Sequence, residues 1–304
     1  MLLWKTNNDI FHAAEQLKMA SDVHAHPRDL LNMFPGAEKE RCSLNIACAA
    51  SSCSIKEYSF HEKLAQAAGK EGNPPLYLCF AIHPQLPASI TPASGANQTE
   101  TMYENNYENN LEFLASLASE GRIAAIGETG FDLYSTQFRE TEKIQDELFA
   151  VHLELALRYN LPLILHVRRA MHKIFLHTRS LKALPAVIFH SWPGVPDEAF
   201  SLLRKGIRAF FSFGTTLLLN HKNAIQSCAA LPSEHLLLET DAPYQPLRGN
   251  NYSSWKDLSI ILAEAVKIRK GGVCGEKSEI ESFEQIVDSN FFKIFEAFSK
   301  PTEF

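Results

Sequence analysis

The residues able to do chemistry in this chain are histidines and carboxylates standing at the ends of short apolar runs. His24 and His26 lie in Asp22-Val-His-Ala-His26, and Glu128 in Ile126-Gly-Glu-Thr-Gly130. His166 follows Leu163-Ile-Leu, His190 follows Val187-Ile-Phe, and Asp241 closes Leu238-Glu-Thr-Asp241. Imidazoles and carboxylates gathered where strands end lose hydration, which is unfavourable unless they bind something. A pair of divalent cations is the natural occupant, because both side chains are ligands for them. The chemistry expected is metal-dependent hydrolysis.

Each position has a bland reading beside the sharp one. A single histidine after an apolar run is usually a core or turn residue, and a glutamate beside glycine is usually a solvated turn. The recurrence of such residues at five strand ends is what argues for a site. The i, i+2 spacing of His24 and His26 sends both rings to one face of a strand, with Asp22 holding backbone or a ligand. Glu128, between Gly127 and Gly130, is expected in a tight turn after the fourth strand, its two oxygens bridging two ions. Asp132 is either a further group of the site or the N-cap of the next helix. Asp241 is expected to bind metal and to position or deprotonate the attacking water, with Glu239 orienting other groups. His83, in Ala81-Ile-His-Pro84, is placed against substrate, and Arg168 and Arg248 are candidates to grip phosphate oxygens. His12, His61, His152, His172, His177, His221 and His235 read as ordinary surface or packing residues. The chain has no GxxxxGK[ST], GxGxxG or GxSxG sequence, which removes the corresponding nucleotide-binding and serine-hydrolase readings.

The elements that must position these side chains are short. Apolar runs at 19–23, 44–49, 76–82, 122–126, 161–165, 186–189, 207–213 and 236–238 read as strands. Helices are clearest at 137–159, 171–179 and 196–205, the first with Ile144, Leu148, Val151 and Leu155 on one face. Strands apolar on both faces and alternating with helices imply a parallel sheet. Eight such units predict an α/β chain folded as a single-domain (β/α)₈ TIM-like barrel over residues 1–304, with an open doubly wound sheet as the lesser option. In such barrels the chemistry sits at the C-terminal ends of the strands. Two segments read as excursions: a polar, Gly/Pro-punctuated surface loop at 84–110, and a stretch at 245–255 that should hang over the barrel mouth.

The chain has 304 residues, 45% of them hydrophobic and 21% charged, and a formal net charge of −6. No basic footprint advertises nucleic-acid binding, although bound divalent cations place positive charge where a polyanion needs it. The six cysteines (42, 48, 53, 79, 228 and 274) form no CxxC pair and read as mostly buried, reduced thiols. The start, Met-Leu-Leu-Trp-Lys, continues into Asn and Asp, and no secretory signal or membrane span is visible. A cytoplasmic monomer is the expectation.

Taken in order, the motifs resemble those of the TatD family of metal-dependent deoxyribonucleases. The matching stretches are Asp22-Val-His-Ala-His26, Ala81-Ile-His-Pro84, Ala125-Ile-Gly-Glu-Thr-Gly-Phe-Asp132, Leu161-Pro-Leu-Ile-Leu-His166, Phe189-His-Ser-Trp-Pro-Gly194 and Leu237-Leu-Glu-Thr-Asp-Ala-Pro-Tyr244. Asn290-Phe-Phe-Lys-Ile-Phe295 looks like the closing helix, so the resemblance spans about residues 18–298. It implies a TIM-like barrel with a two-metal site, in which His24, His26 and Asp241 hold one ion, His166 and His190 the other, and Glu128 lies between. It further implies DNA as partner, single-stranded ends above all, and phosphodiester hydrolysis, which some members perform as 3′→5′ exonucleases. Zinc, manganese and magnesium all suit the ligands. Three departures touch the substrate side. Pro27 follows His26 where an apolar residue is common, and Val167-Arg-Arg-Ala170 replaces Ser-Arg-Asp-Ala. Arg248-Gly249 runs on into Asn-Asn-Tyr-Ser instead of towards Arg-Asn-Glu-Pro. Two rival readings stand beside this one: a metal-dependent hydrolase of a small-molecule amide or ester, and a non-catalytic metal-binding scaffold.

Overall fold

A computed structural model describes residues 21–90 and 107–296. These residues hold eight parallel strands in the order β1 to β8. The strands are β1 (Ser21–Ala25), β2 (Ala47–Ser52), β3 (Leu76–Phe80), β4 (Ala125–Asp132), β5 (Leu163–Arg168), β6 (Val187–Phe189), β7 (Ala209–Phe213) and β8 (Leu236–Leu238). Hydrogen bonds from Asp241 N–H to the His24 carbonyl (3.0 Å) and from His26 N–H to the Ala242 carbonyl (2.8 Å) draw the end of β8 against β1. The sheet is thereby rolled into a nearly closed (β/α)₈ barrel, as the alternation of runs predicts.

Helices cover the outside. They are α1 (Pro27–Met33) and α2 (Ala37–Ser43) after β1, α3 (Ile55–Glu71) after β2, and α4 (Leu86–Ile90) and α5 (Tyr107–Glu120) after β3. Then come α6 (Thr136–Glu140) and α7 (Glu142–Tyr159), α8 (Met171–Leu176) and α9 (Thr178–Leu181), α10 (Pro196–Arg204), α11 (Lys222–Ala230), α12 (Asp257–Arg269) and α13 (Lys277–Phe295). Local chemistry sets their ends. Ser54 Oγ accepts the Glu57 N–H at the start of α3, and Gly72 ends that helix at φ 68°, the left-handed conformation glycine adopts freely.

Several expectations need correction here. The helix expected at 137–159 breaks at Thr141, whose N–H and hydroxyl both turn back to the Phe138 carbonyl. Of the expected face, Leu148 and Leu155 are buried, whereas Ile144 is 38% exposed; Gln145, Phe149, His152, Leu153 and Ala156 are buried with them. Gln145 and His152 add buried polar groups to that face, which a hydrophobic pattern cannot register. The helix expected at 171–179 is likewise two short ones meeting at His177. The 84–110 excursion begins with α4 and ends inside α5, its middle falling outside the described residues.

The barrel interior is filled by Val23, Ala49, Tyr77, Cys79, Ala125, Ile164, Ile188 and Leu237. Phe291, Ile294 and Phe295 of α13 pack onto the same cluster. Tyr77 meets the rings of Phe291 and Phe295 at 5.5 and 5.4 Å, and Ser21 Oγ donates to Asp288 Oδ1 at 2.6 Å. Both partners stand at strand starts, so α13 closes the N-terminal end of the barrel. The opposite end is left open for chemistry.

Candidate metal centre

Two slips of register aim the site residues inward. Along a regular strand alternate residues face the interior, so Ala125 and Glu128, three apart, would lie on opposite faces. The β4–β5 register shifts between Ile126 and Thr129, and the shift turns Glu128 to the interior while Thr129 faces outward to His152 (3.0 Å). A second slip between Asp22 and Ala25 lets Val23 fill the interior and His24 enter the mouth. Glu128 therefore stands within β4 and not in a turn after it. The glycines around it serve close approach: a Cβ on Gly127 would lie 2.4 Å from Ile164 Cβ. On Gly130, at φ +125°, it would lie 2.3 Å from the His166 carbonyl oxygen.

The six ligand candidates converge. Glu128 Oε2 lies 3.1 Å from His24 Nε2 and 3.9 Å from His26 Nε2. Its Oε1 lies 2.7 Å from His166 Nδ1, 3.1 Å from His83 Nε2 and 3.6 Å from His190 Nε2. Asp241 faces His24 (3.6 Å), His26 (3.8 Å) and His190 (3.8 Å). Among the described residues four sets bring their ligand atoms within 4.8 Å of one another: His24/His26/Asp241, His24/Glu128/His190, His83/Glu128/His166 and, beside them, His26/Asp29/Glu57. The grouping differs in one respect from that implied by the resemblance. His190 stacks near His24 (centroids 3.9 Å) and His166 near His83 (4.8 Å), with 6.1 Å between His166 and His190.

Most of these rings are held by their other nitrogen. His24 Nδ1 meets Ser51 Oγ (3.0 Å), and His190 Nδ1 meets Glu239 (3.0 Å), which also accepts from Ser212 Oγ. His26 Nδ1 faces Glu57 at 3.6 Å. Such partners fix ring orientation and strengthen the nitrogen left for a metal. Asp22 accepts from the N–H groups of His24 (3.2 Å) and Thr240 (3.1 Å) and from Thr240 Oγ1 (2.6 Å), tying β1 to the end of β8. Gln245 Nε2 donates to Asp241 Oδ2 (2.8 Å), so the start of the 245–255 stretch does lie over the mouth. Asp132 is not a cap. It joins His166 Nε2 (3.1 Å), Gln85 Nε2 (2.7 Å) and Arg168 Nη1 (3.5 Å), and Ser135 caps α6.

The electrostatics suit cations. Burial would raise the pKa of Glu128, but the imidazoles of His83, His190 and His24 and the hydrogen bond from His166 outweigh it and hold the carboxyl well below its usual range. Burial would lower His26 and His190, yet Glu57 raises the first to about 9 and Glu239, with Glu128, the second to about 10. Protons on these rings thus balance the carboxylates when no metal does. His24 goes the other way, lowered by burial and by His190. Its Nε2 is buried with no hydrogen-bond partner, although Glu128 is only 3.1 Å away. A neutral, oriented and unpartnered imidazole nitrogen beside two carboxylates fits a divalent cation. The residues present can hold one.

The centre opens into a cavity of about 1140 Å³. His83, Arg168, Arg169, Tyr134, Lys222 and Tyr244 line it. Arg248 is exposed and not among the lining residues. Sequence reasoning passed over Ser51, Glu57 and Gln245, which touch ligand candidates, and Gln85, which holds Asp132 and His83; all stand at ordinary positions and carry no motif of their own.

Comparison with known proteins agrees with this geometry. A family model described as TatD related DNase matches residues 21–296. The metal-dependent hydrolase YjjV of Escherichia coli K12 is 29% identical over 237 residues, 75% of this chain and 81% of that protein. A Mycoplasma pneumoniae metal-dependent hydrolase is 32% identical over 47% of this chain and 56% of its own length. The crystal structure of the E. coli TatD homologue YjjV superposes with a TM-score of 0.70 at 24% identity, covering 92% of this chain and 98% of that one, which shows a common fold. With the matched family model, the ordered motifs and the clustered ligands together, the chain belongs to the TatD related DNase family and is a metal-dependent hydrolase.

Proposed function

We propose that the protein is a metal-dependent deoxyribonuclease that hydrolyses phosphodiester bonds at single-stranded DNA ends, using two divalent cations. The observation that carries this reading is Glu128, whose two oxygens face two different sets of imidazoles. In the grouping implied by the resemblance, His24, His26 and Asp241 would hold one cation and His166 and His190, both facing Glu128 Oε1, the other, with Glu128 shared. Bound there, the cations supply the positive charge that polarises a phosphodiester and acidifies water. Zinc, manganese and magnesium are the candidates.

The chain's own residues do the rest. Asp241, held by Gln245 (2.8 Å), orients the attacking water and accepts its proton. His83 is fixed by the Gln85 N–H on Nδ1 (3.2 Å), so the proton of the neutral ring sits on Nε2, facing Glu128 and the cavity. From there it can donate to a substrate oxygen. Arg168, Arg169 and Lys222 line the cavity beside the carboxylates of Asp29, Glu128 and Asp241, and divalent cations bound there would tip that balance towards a polyanion. Arg248 would meet only the outer part of a long strand.

The experiment is a substrate panel on metal-loaded protein: bis(p-nitrophenyl) phosphate and 3′-labelled single-stranded DNA against p-nitrophenyl esters and aryl amides. Cleavage of the phosphodiesters with weak or no action on the others is expected, and the product ladder separates end-wise from internal cutting. Turnover of esters or amides alone would replace this reading with the small-molecule one.

A further inference from the structure

Arg168 ends β5 and Arg169 follows it, and neither is used by the metal centre itself. In an extended strand neighbouring side chains leave from opposite faces. Here Arg169 sits at φ 54°, in the left-handed region, and both guanidiniums reach one ring, lying 4.3 and 4.6 Å from the centroid of Tyr134. Tyr134 is placed for this by Asp132, whose Oδ1 accepts the Tyr134 N–H (2.9 Å) and which pairs in register with Arg168 across β4 and β5.

Two positive charges around one ring repel each other unless an anion sits between them. Asp132 is a poor candidate for that anion. Its Oδ2 already takes hydrogen bonds from His166 (3.1 Å) and Gln85 (2.7 Å), and Arg168 stands at the outer limit, 3.5 Å away. Arg169 has no carboxylate partner among the described residues. Its contact there is the ring of Tyr134. Both arginines and the tyrosine line the main cavity, and all three are substantially exposed to it. The pair is also set back from the metal centre. From Glu128 the path runs through the His166 imidazole (2.7 Å), then Asp132 (3.1 Å), and only then to Arg168 (3.5 Å). The link from Arg168 to Glu128 therefore passes through an imidazole and a carboxylate.

We propose that Arg168, Tyr134 and Arg169 form a separate anion subsite at the cavity rim, which takes a phosphate neighbouring the one hydrolysed. The inference rests on the phosphodiesterase reading above. It narrows the substrate class to nucleotide chains with charge on more than one phosphate, in place of any lone phosphodiester. Two guanidiniums offer forked donors to phosphate oxygens, the geometry in which arginine is strongest, and Tyr134 keeps them apart and pre-oriented.

Binding tests this without relying on turnover. Chelator-treated protein is titrated calorimetrically with thymidylyl-thymidine and with the same dinucleotide carrying a phosphate at each end. The end-phosphorylated ligand should bind about tenfold or more tightly, and Arg169→Gln should bring that ratio close to one. Arg169 is exposed, so the variant is expected to fold, and Tyr134→Leu, which loosens both guanidiniums, should shrink the ratio as well. Equal affinities in the wild type, no measurable binding of the end-phosphorylated ligand, or a ratio unchanged in Arg169→Gln would each overturn the subsite. Metal is then restored and hydrolysis measured. Cleavage of DNA without the phosphate-dependent ratio would reject the subsite and keep the nuclease, while the ratio without cleavage would keep the subsite and reject the nuclease.

Discussion

Glu128 is the side chain on which the centre turns, because two sets of imidazoles depend on its two oxygens. Glu128→Gln should therefore release bound metal, read by atomic emission after dialysis, and lower hydrolysis by about a thousandfold. The partners of the ligands act more mildly. Glu57→Gln and Glu239→Gln, which face His26 and His190, should each weaken metal affinity by about 10- to 100-fold while leaving the fold intact. Protonation supplies a further check. His26 and His190 are raised to about 9 and about 10, so both carry protons at pH 7.5 when metal is absent. A cation needs the neutral rings, so binding must expel protons and affinity must rise with pH towards those values. Calorimetric enthalpies at pH 7.5 should then depend on the ionisation enthalpy of the buffer, and identical enthalpies in phosphate-free buffers of different ionisation heat would refute this.

At the scale of elements, the site depends on strands that break their own alternation. Gly127 permits the slip in β4 because any side chain there would overlap Ile164, and Gly130 because a Cβ would strike the His166 carbonyl. Gly127→Ala should destabilise the fold by about 1–3 kcal/mol and displace Glu128, so that urea midpoint and bound metal fall together. Loss of stability with full metal content would separate the slip from the site. The convergence of the ligand candidates was legible in the sequence because nearly all of them stand at the ends of apolar runs. The placement of Glu128 was not, since a bulge inverts which face a residue occupies without altering composition. The turn expected from its flanking glycines is instead a strand that needs them for close packing. His152 was passed over for a related reason. It lies on α7 but accepts the Ile82 N–H (3.0 Å) and meets Thr129 Oγ1 (3.0 Å), bracing β4 and the end of β3 from outside. Burial lowers its pKa from 6.5 to about 4. Because the folded value lies below the unfolded one, its stabilisation is complete above pH 6.5 and is lost as pH falls towards 4. Between pH 7.5 and 5 that amounts to about 2 kcal/mol. His61, also lowered to about 4 by burial, acts in the same direction. In chelated protein His26 and His190, raised to about 9 and about 10, gain stability over the same range and oppose this loss. The check is therefore a difference: in urea unfolding the advantage of the wild type over His152→Gln should shrink as pH falls from 7.5 to 5.

Over the whole molecule, stability and chemistry occupy opposite ends of the barrel. The fold was the most legible level, since eight apolar runs with helices between them leave few alternatives. The closing helix was legible at residues 290–295, but not the end it covers: α13 closes the strand starts through Phe291 and Phe295, both fully buried. Phe291→Ala should cost about 3–5 kcal/mol in urea unfolding, with kcat unchanged in whatever fraction remains folded, because the centre lies at the strand ends. No helix among the described residues is long and apolar enough to cross a membrane. The most direct measurement is cleavage of 3′-labelled single-stranded DNA by metal-stripped protein titrated in turn with magnesium, manganese and zinc, beside Asp241→Asn. Cleavage should be absent without metal, rise to a plateau near two equivalents per chain, and fall about a thousandfold in the variant. Folded, metal-loaded protein that leaves DNA intact, or an Asp241→Asn variant that cuts as fast as the wild type, would contradict the assignment.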